Sequence, residues 1–534
     1  MEKDTNKKHI KFDTSVQILK YEVLKRVAEN AFNDTLDKNI LSIAKEVVDD
    51  LNPNVRCCIY KERAIVQERI KVALGGDKLN DNVIEVIDIA CDECSINRFI
   101  VTNACRGCLA KKCQESCRFG AISFDSKKSK IDYSKCKECG KCKEACPYDA
   151  IAEVRRPCMK SCYPKALSYN TESKKAVIDN NKCIQCGACV INCPFGAIMD
   201  KSSIVDVINL IKDNSKKVYA IIAPAIASQF KGNHINKVIT AIKTLGFDDV
   251  LEVALGADLV ALHEFNEFAN YGEESFLTSS CCPSFVSFIE KKFPMLKDNI
   301  SNTVSPMIAI ARLIKKNDEN SNIVFIGPCI AKKMEILREE IKGEVNYVMT
   351  FEELLAMLDA KDICIDKCVD GMSENGSLYG RMFARSGGVL EAIKHVVNEY
   401  GQDIYFNPQS ANGIKECDAK LMQAKFKRIQ CNFLEGMICT GGCINGPGTL
   451  NHDIKNNKEV DIYGKESDYQ NIKDSTEKYN DLMLDLKKYK DRIIYKDLVT
   501  DVGLINKKNS LEIDTILLKR RLLNFTMAWE DIVT

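Results

Sequence analysis

The sequence predicts a helical amino-terminal segment, then a small cysteine-dense α+β domain, then an α/β domain of mixed or parallel sheets flanked by helices. Three observations carry this. From about Ser202 onward, apolar runs of four or five residues alternate with helical patterns. Between Cys91 and Cys193, cysteine recurs at close intervals, joined by Gly, Pro and Lys-rich connections that leave little room for an apolar core. Ahead of Cys91, apolar residues repeat at helical spacing. The resulting boundaries are 1-85 helical, 86-200 cysteine-rich, 201-450 α/β and 451-534 a helical extension.

In chain order, Val16, Leu19, Val23 and Val27 form one helical stripe behind Asp13, Thr14 and Ser15 as caps, and Ile40, Ile43, Ala44, Val47 and Val48 form a second. Two amphipathic helices packed on the rest are expected there. In the α/β part, 218–222 reads as a strand, 235–245 as a helix, 250–253 as a strand and 257–271 as a helix. A further strand at 323–326 runs straight into Gly327-Pro328-Cys329. That places a ligand at the carboxyl end of a strand, where α/β sheets hold their sites. Beyond Leu450, Lys and Asn dominate until an amphipathic stretch at 511–533, so peripheral helices without chemistry are expected.

At 534 residues and 45% hydrophobic, the chain is long enough for several packed domains. Lys plus Arg total 76 against 75 Asp plus Glu, so no overall field favours nucleic acid or an anionic membrane. The 27 cysteines stand mostly in C-x2-C and C-x3-C spacings, which suit metal ligation in a reducing compartment and not a secreted disulfide framework. Residues 1–14 lack the apolar core of a signal peptide, and the longest apolar run, 218–227, is broken by Pro224 and too short to span a bilayer. A cytoplasmic protein with neither a membrane nor a nucleic-acid partner is expected.

Cys136, Cys139, Cys142 and Cys146, followed by Pro147, fit C-x2-C-x2-C-x3-C-P, and Cys183, Cys186, Cys189 and Cys193, followed by Pro194, fit it again. In such a run three thiolates wrap one cubane while the fourth reaches the neighbouring cluster. Zinc knuckles would need only about four ligands in two pairs. The ending C-x3-C with a following Ala and aliphatic residue occurs four times: Cys113 and Cys117 with Ala121-Ile122, Cys142 and Cys146 with Ala150-Ile151, Cys158 and Cys162 with Ala166-Leu167, Cys189 and Cys193 with Ala197-Ile198. Cys105 and Cys108 precede the first copy; the third lacks its own C-x2-C and could borrow Cys91 and Cys94. Two accessory 4Fe-4S clusters follow from the repeated run, and up to four from the sixteen cysteines, whose arithmetic alone does not assign them.

This region resembles bacterial ferredoxins, which implies one-electron transfer along a row of clusters. Arg106, Lys111, Lys112, Arg118, Lys127, Lys128 and Lys130 stand against Glu115, Asp125 and Asp132, a balance that fits docking of an acidic carrier such as ferredoxin or a flavodoxin-like protein as well as an ordinary solvated face. Cys57, Cys58, Cys364, Cys368, Cys417 and Cys431 follow no such pattern and read as structural.

Three patches in the second half carry the rest: Ser279-Ser280-Cys281-Cys282-Pro283, Pro328-Cys329-Ile330-Ala331-Lys332 and Cys439-Thr440-Gly441-Gly442-Cys443. They supply five thiols where a cubane takes four, and a spare thiol beside a metal site points to proton chemistry. With Ser386-Gly387-Gly388-Val389-Leu390-Glu391-Ala392 between them, these patches resemble the three signatures of FeFe hydrogenases, over roughly residues 105–450.

The resemblance implies a two-lobed catalytic domain holding an H-cluster: a 4Fe-4S cubane joined to a diiron unit with CO, cyanide and a bridging dithiolate amine. Separate maturation proteins would supply the diiron unit, and H2 would be interconverted with protons and electrons. By motif position it assigns Cys282, Cys329, Cys439 and Cys443 to the cubane, with Cys443 as the bridge. Lys332 falls to one cyanide, the Ala223-Pro224-Ala225 turn to the other, and Met437 to the bridging carbonyl, with Pro328 and Ser280 in the same signatures. Cys281 becomes the proton donor, backed in order by Glu264, Ser301 or water, and Glu267, the two glutamates falling one helical turn apart.

Several positions depart from the commonest pattern. Phe285 replaces a tryptophan, Ser280 is interposed, Gly327 stands where a methionine is usual, and Ala227 and Ser228 do not supply the usual arginine. The third signature ends Gly446-Pro447-Gly448-Thr449, and His263 occupies a position that is often Glu. These differences resemble the group B branch and concern the pocket wall. Two other readings stay open: a hydrogenase-like iron-sulfur assembly protein that keeps the cubane ligands alone, and a hydrogen sensor without turnover.

Overall fold

The computed structural model describes Asn6, Ile10 and residues 12–488 other than 50–55, 126, 231, 272–275, 372–375, 401–403, 454 and 483. The amphipathic stretch at 511–533 lies outside the described residues. Val218–Ile222, Asp249–Glu252, Asn322–Ile326 and Tyr347–Met349 form a four-stranded parallel sheet in the order Asp249, Val218, Asn322, Tyr347. Strands buried on both faces read as continuous aliphatic runs, and Ile221, Ile222, Val324 and Ile326 are all solvent-free. Leu277–Thr278, Phe433–Met437 and Pro408–Asn412 form a second sheet, also parallel. Both core sheets are thus parallel, where the sequence left mixed sheets open. The helix expected at 235–245 forms as Ile235–Leu245, capped by Gly246 at φ +119°, while the helix expected from Ala257 already starts at Val253.

The cysteine-rich region is one small unit nested inside another. Ile84–Val86 pairs antiparallel with Ile198–Asp200, and the Leu167–Tyr169/Ala176–Ile178 hairpin falls between them in sequence. Inserted into that unit, Phe99–Val101 pairs antiparallel with Ile151–Glu153 around the Ile122–Asp125/Lys128–Ile131 hairpin. The insertion explains why Cys91 and Cys94 stand so far in sequence from Cys158.

Ser15–Phe32 and Leu36–Val47 are the two expected helices, with Thr14 as the working cap: its Oγ1 accepts from the Gln17 amide at 3.2 Å. A third helix, Ile59–Ala73, was not expected; Glu62 and Arg69 occupy buried positions along it and break its apolar period. The first helix likewise buries Lys20. Its ammonium pairs with Asp200 and Glu352, each at 2.6 Å, and Lys333 closes the network on Asp200 at 2.8 Å and Glu353 at 2.9 Å. This one buried cluster ties the first helix, the exit of the cysteine-rich region, the segment after Cys329 and the Phe351–Ala360 helix together.

The 451–488 stretch corrects the expectation of peripheral helices. Asn456–Lys465 and Ile472–Thr476 pack into the α/β core, where Ser475 Oγ donates to Asp258 Oδ2 at 2.7 Å and Arg381, bidentate on Glu252, donates to the Tyr463 carbonyl at 2.7 Å.

Two lysines hold the buried Asp200 carboxyl below the usual carboxylate range, against the cost of its burial. A depressed folded-state value stabilises the fold above the unfolded value of about 3.9 and loses that contribution as pH falls through the folded value. Asp200→Ala leaves two buried ammonium groups sharing fewer anions, and is expected to lower the unfolding free energy at neutral pH by about 3–5 kcal/mol, read by chemical denaturation.

Candidate metal centre

Four loops leave the carboxyl ends of parallel strands and meet at one cavity. Val218–Ile222 delivers Ala223 and Pro224; Asn322–Ile326 delivers Pro328 and Cys329; Leu277–Thr278 delivers Cys281 and Cys282; Phe433–Met437 delivers Cys439 and, further on, Cys443. All five thiols of the three signatures line this cavity, whose volume is about 90 Å³. Its other walls are mostly apolar, among them Phe325, Phe383, Met307 and Met437.

Burial pushes the Cys329 thiol up to about 12, and holds Cys282, Cys439 and Cys443 above the ordinary thiol range as well. A metal reverses that preference by binding thiolates, and four such groups around a dry cavity fit a cluster. Among the described residues, no three His, Cys, Asp or Glu side chains close in on a single ion.

Lys332 lines the cavity, its ammonium paired with Glu335 at 2.6 Å and 3.4 Å from the Cys281 carbonyl. Burial pulls it down, but Glu335 outweighs burial and keeps it cationic. Pro224, Pro328 and Met437 line the cavity too. Neither Ala225 nor Ser280 is a lining residue: Ala225 is fully buried, and Ser280 faces the glutamates.

Cys281 is held well above the ordinary thiol range, first by burial and next by Glu264. Glu264 is solvent-free, and burial, with Glu267 nearby, pushes it up to about 8 despite the Ser280 amide that donates to its Oε1 at 3.2 Å. Its Oε2 has no hydrogen-bond partner.

Ser301 sits with the other glutamate: its Oγ donates to Glu267 Oε2 at 2.6 Å, and the Asn302 amide donates to Oε1 at 2.8 Å. The expected Cys281, Glu264, Ser301, Glu267 order therefore forms as two groups. Ser280 joins them, its amide on Glu264 and its Oγ donating to the Thr303 carbonyl, while Thr303 Oγ1 donates to Glu267 at 3.2 Å and shares a 2.8 Å bond with His263 Nδ1.

Sequence reasoning missed Glu435. It is solvent-free, accepts from the Gly387 and Leu390 amides at 2.7 and 3.0 Å, and is pushed up to about 7 by burial. It thereby anchors the Ser386-Gly387-Gly388 segment, and its place two residues before Met437 was the available signal.

The departures in the wall also find their reasons. A Cβ on Gly327 would lie 2.5 Å from the Phe325 ring, so that ring fills the space. A Cβ on Gly436 would strike Phe285 at 2.2 Å, which lets the Phe285 ring pack against that strand inside the core and away from the cavity.

The sixteen cysteines of the nested units form four sets. Cys105, Cys108, Cys113 and Cys146 line one small cavity, and Cys117, Cys136, Cys139 and Cys142 another, each of about 20 Å³. In the enclosing unit, Cys158 is raised to about 11 by burial with Cys193, Cys91 and Cys94 as its electrostatic neighbours, and Cys186 to about 12 with Cys183 and Cys162. Cys189 feels Cys186, Cys183 and Cys162 most strongly. Each unit thus exchanges its last cysteines between two sets.

The fourfold Ala repeat has a direct cause: the amides of Ala121, Ala150, Ala166 and Ala197 donate to the sulfurs of Cys117, Cys146, Cys162 and Cys193 at 3.2–3.4 Å. Cys186 also lines the main cavity. Next to it, Gly187, at φ +72°, is pressed against Pro447 and Ile330, where a Cβ would meet carbon at 2.5 and 3.0 Å.

Residues 216–447 match the family model of the iron only hydrogenase large subunit, C-terminal domain, and residues 129–152 and 176–199 match the 4Fe-4S binding domain. The chain is an FeFe-hydrogenase-like protein with an amino-terminal iron-sulfur region. Iron hydrogenase 1 of Clostridium pasteurianum is 26% identical over 318 residues, covering 50% of this chain and 55% of that one. The NADP-reducing hydrogenase subunit HndD of Solidesulfovibrio fructosivorans is 27% identical, covering 48% and 54%. Protein NAR1 of Arabidopsis thaliana is 24% identical, covering 44% and 64%. The chain spans about half the length of the first two of these relatives.

A solved [FeFe]-hydrogenase HydA1 variant from Chlamydomonas reinhardtii superposes with a TM-score of 0.44 at 17% identity, over 52% of this chain and 94% of that one. Among the described residues, no helix is long and apolar enough to cross a membrane.

The exchange of cysteines makes a distinct prediction. Cys158→Ala and Cys162→Ala, four residues apart, are expected to remove different 4Fe-4S signals from the paramagnetic resonance spectrum of the reduced protein, each with loss of about four iron atoms per chain. Loss of the same signal in both would contradict the grouping.

Proposed function

We propose that the protein is an FeFe hydrogenase interconverting H2 with protons and electrons. Its four-stranded and three-stranded sheets would form two lobes that close on an H-cluster between them. The observation that carries this reading is the fifth thiol: Cys281 shares the wall with the four ligand thiols and is an electrostatic neighbour of Glu264, a buried carboxyl with one oxygen unpartnered. A cubane alone has no use for such a pair. The bound diiron unit would supply the metal that takes up and releases H2.

The chain's own part is to hold, exclude and relay. Cys282, Cys329, Cys439 and Cys443 would hold the cubane, with Cys443 shared with the diiron unit, and Lys332 would offer its ammonium to an anionic ligand of that unit. Apolar walls keep water out, which strengthens each polar contact inside. Burial keeps the Cys281 thiol and the Glu264 carboxyl protonated near neutrality, so each can give up a proton and take one back. Glu264 would pass it by way of Ser280 or a water to the Ser301 and Glu267 group, and so outward.

Electrons would travel through four accessory clusters, of which the set containing Cys186 adjoins the cavity. In the inserted unit, the seven basic residues from Arg106 to Lys130 are exposed, as is Leu109 at 96%, a composition that fits docking of an acidic carrier such as ferredoxin or a flavodoxin-like protein. A cytoplasmic setting, where thiols stay reduced and maturation proteins can reach the chain, completes the proposal.

The similarity to NAR1 proteins favours a second reading, iron-sulfur assembly without turnover. Infrared spectroscopy after maturation separates the two: CO and cyanide bands with H2 turnover are expected, and their absence would leave the assembly reading. Cys281→Ala is expected to keep the bands and lose at least about 100-fold in turnover, the usual scale for a positioned proton donor. Glu264→Gln is expected to act likewise. Wild-type rates in either would remove that residue from the relay.

A further inference from the structure

Three arginines are buried among the described residues, and two of them adjoin one thiol set. Arg381 is the third and is neutralised by Glu252. Arg156, 5% exposed, spends its guanidinium on the Lys174 and Ser95 carbonyls and points Nη1 at Cys91 Sγ, 3.7 Å away. Arg69, 2% exposed, donates to the Gly196 carbonyl at 2.7 Å, with Cys193 the sole raising influence on it; its Nε has no partner. No carboxylate pairs with either guanidinium among the described residues.

Buried cations without counter-ions are costly, so a negative charge must stand where these two converge. The thiol set Cys91, Cys94, Cys158 and Cys193 is that place. Arg56 also faces it, stacked on Phe195, but is shared with Asp92 at 3.2 Å.

The other sets lack this arrangement: Arg106 and Lys137, which line the cavities of the two inserted sets, are exposed. Near Cys183, Lys291 donates to a backbone carbonyl and is exposed; beside the main cavity, Lys332 is balanced by Glu335. The amide bonds from the repeated alanines are the same in all four sets, so they cannot distinguish them.

We infer that Arg69 and Arg156 make the cluster held by Cys91, Cys94, Cys158 and Cys193 the most easily reduced of the accessory clusters, an electron-holding station beside the set that adjoins the cavity. The chemistry is a single electron taken up with no bond made or broken. A 4Fe-4S cluster with four thiolates then goes from a total charge of −2 to −3, and unbalanced nearby cations favour the more negative form.

The station's use rests on the proposed hydrogenase activity: H2 exchanges two electrons, the carrier moves one at a time, and a held electron lets the second follow. Both arginines are positioning residues and touch no substrate.

The test is a redox titration of the full chain loaded with its cubanes, followed by electron paramagnetic resonance, and it requires neither the diiron unit nor H2. One 4Fe-4S signal is expected to titrate at least a tenfold step above the other accessory signals, about 59 mV for one electron, and Cys158→Ala is expected to abolish that signal. Arg156→Gln is expected to lower its midpoint by a similar step and leave the others in place, with Arg156→Lys closer to wild type. Arg69→Gln provides a second, independent variant should either fold poorly.

Accessory signals that titrate together, a Cys158→Ala variant that loses a low-potential signal, or midpoints unmoved by either charge removal would overturn the inference. A protein that passes this titration yet never turns over H2 would instead refute the proposed activity.

Discussion

Parallel pairing is the constraint on which the site depends. Strands that run the same way deliver their outgoing loops to the same edge, and here two such sheets, one of four strands and one of three, turn those edges to a common space. That brings residues 224, 281, 329 and 439 together across more than two hundred positions of chain. No local motif could hold four thiols so far apart in sequence around one enclosed volume, and no antiparallel meander would present all its loops on one side.

The space so formed is chemically lopsided. Its walls are aliphatic and aromatic, yet it collects six thiols, Cys186 included, one ammonium and, just behind, two carboxyls raised by burial, Glu264 and Glu435. Each charge is placed where a neighbour answers it: Lys332 on Glu335, Glu435 on two backbone amides. Glu264 is the exception, with one oxygen unanswered. The same division appears in the scaffold, where the Lys20, Asp200, Lys333 network is closed on itself and holds elements together without touching the cavity.

Much of this was legible beforehand, and for identifiable reasons. Thiol ligands must recur at spacings set by cluster size, so Cys136 to Cys146 and Cys183 to Cys193 announced themselves. Strand 218–222 and helix 235–245 were legible because their apolar periods are unbroken. The pairing of Cys91 and Cys94 with Cys158 could only be guessed, since the nesting of one unit inside another is a property of strand pairing across the chain and leaves no local trace. The third amino-terminal helix was hidden by the buried Arg69 and Glu62, polar residues at positions a pattern search expects to be apolar. Phe325 taking the space above Gly327 was invisible for a similar reason: complementary volumes come from separate positions, and a sequence records each without the other. The expected order set a water or Ser301 between Glu264 and Glu267; the structure seats Ser301 on Glu267, and the backbone after Leu277–Thr278 carries Ser280 to Glu264, a contact no spacing announces.

Gly187 and Pro447 meet with no room for even a methyl group between them. One belongs to the turn carrying Cys186, the other to the lining of the main cavity, so the two share a joint. Any wedge driven in at that point would open the cavity wall and push it away from the Cys186 turn in one movement, so neither could loosen without the other.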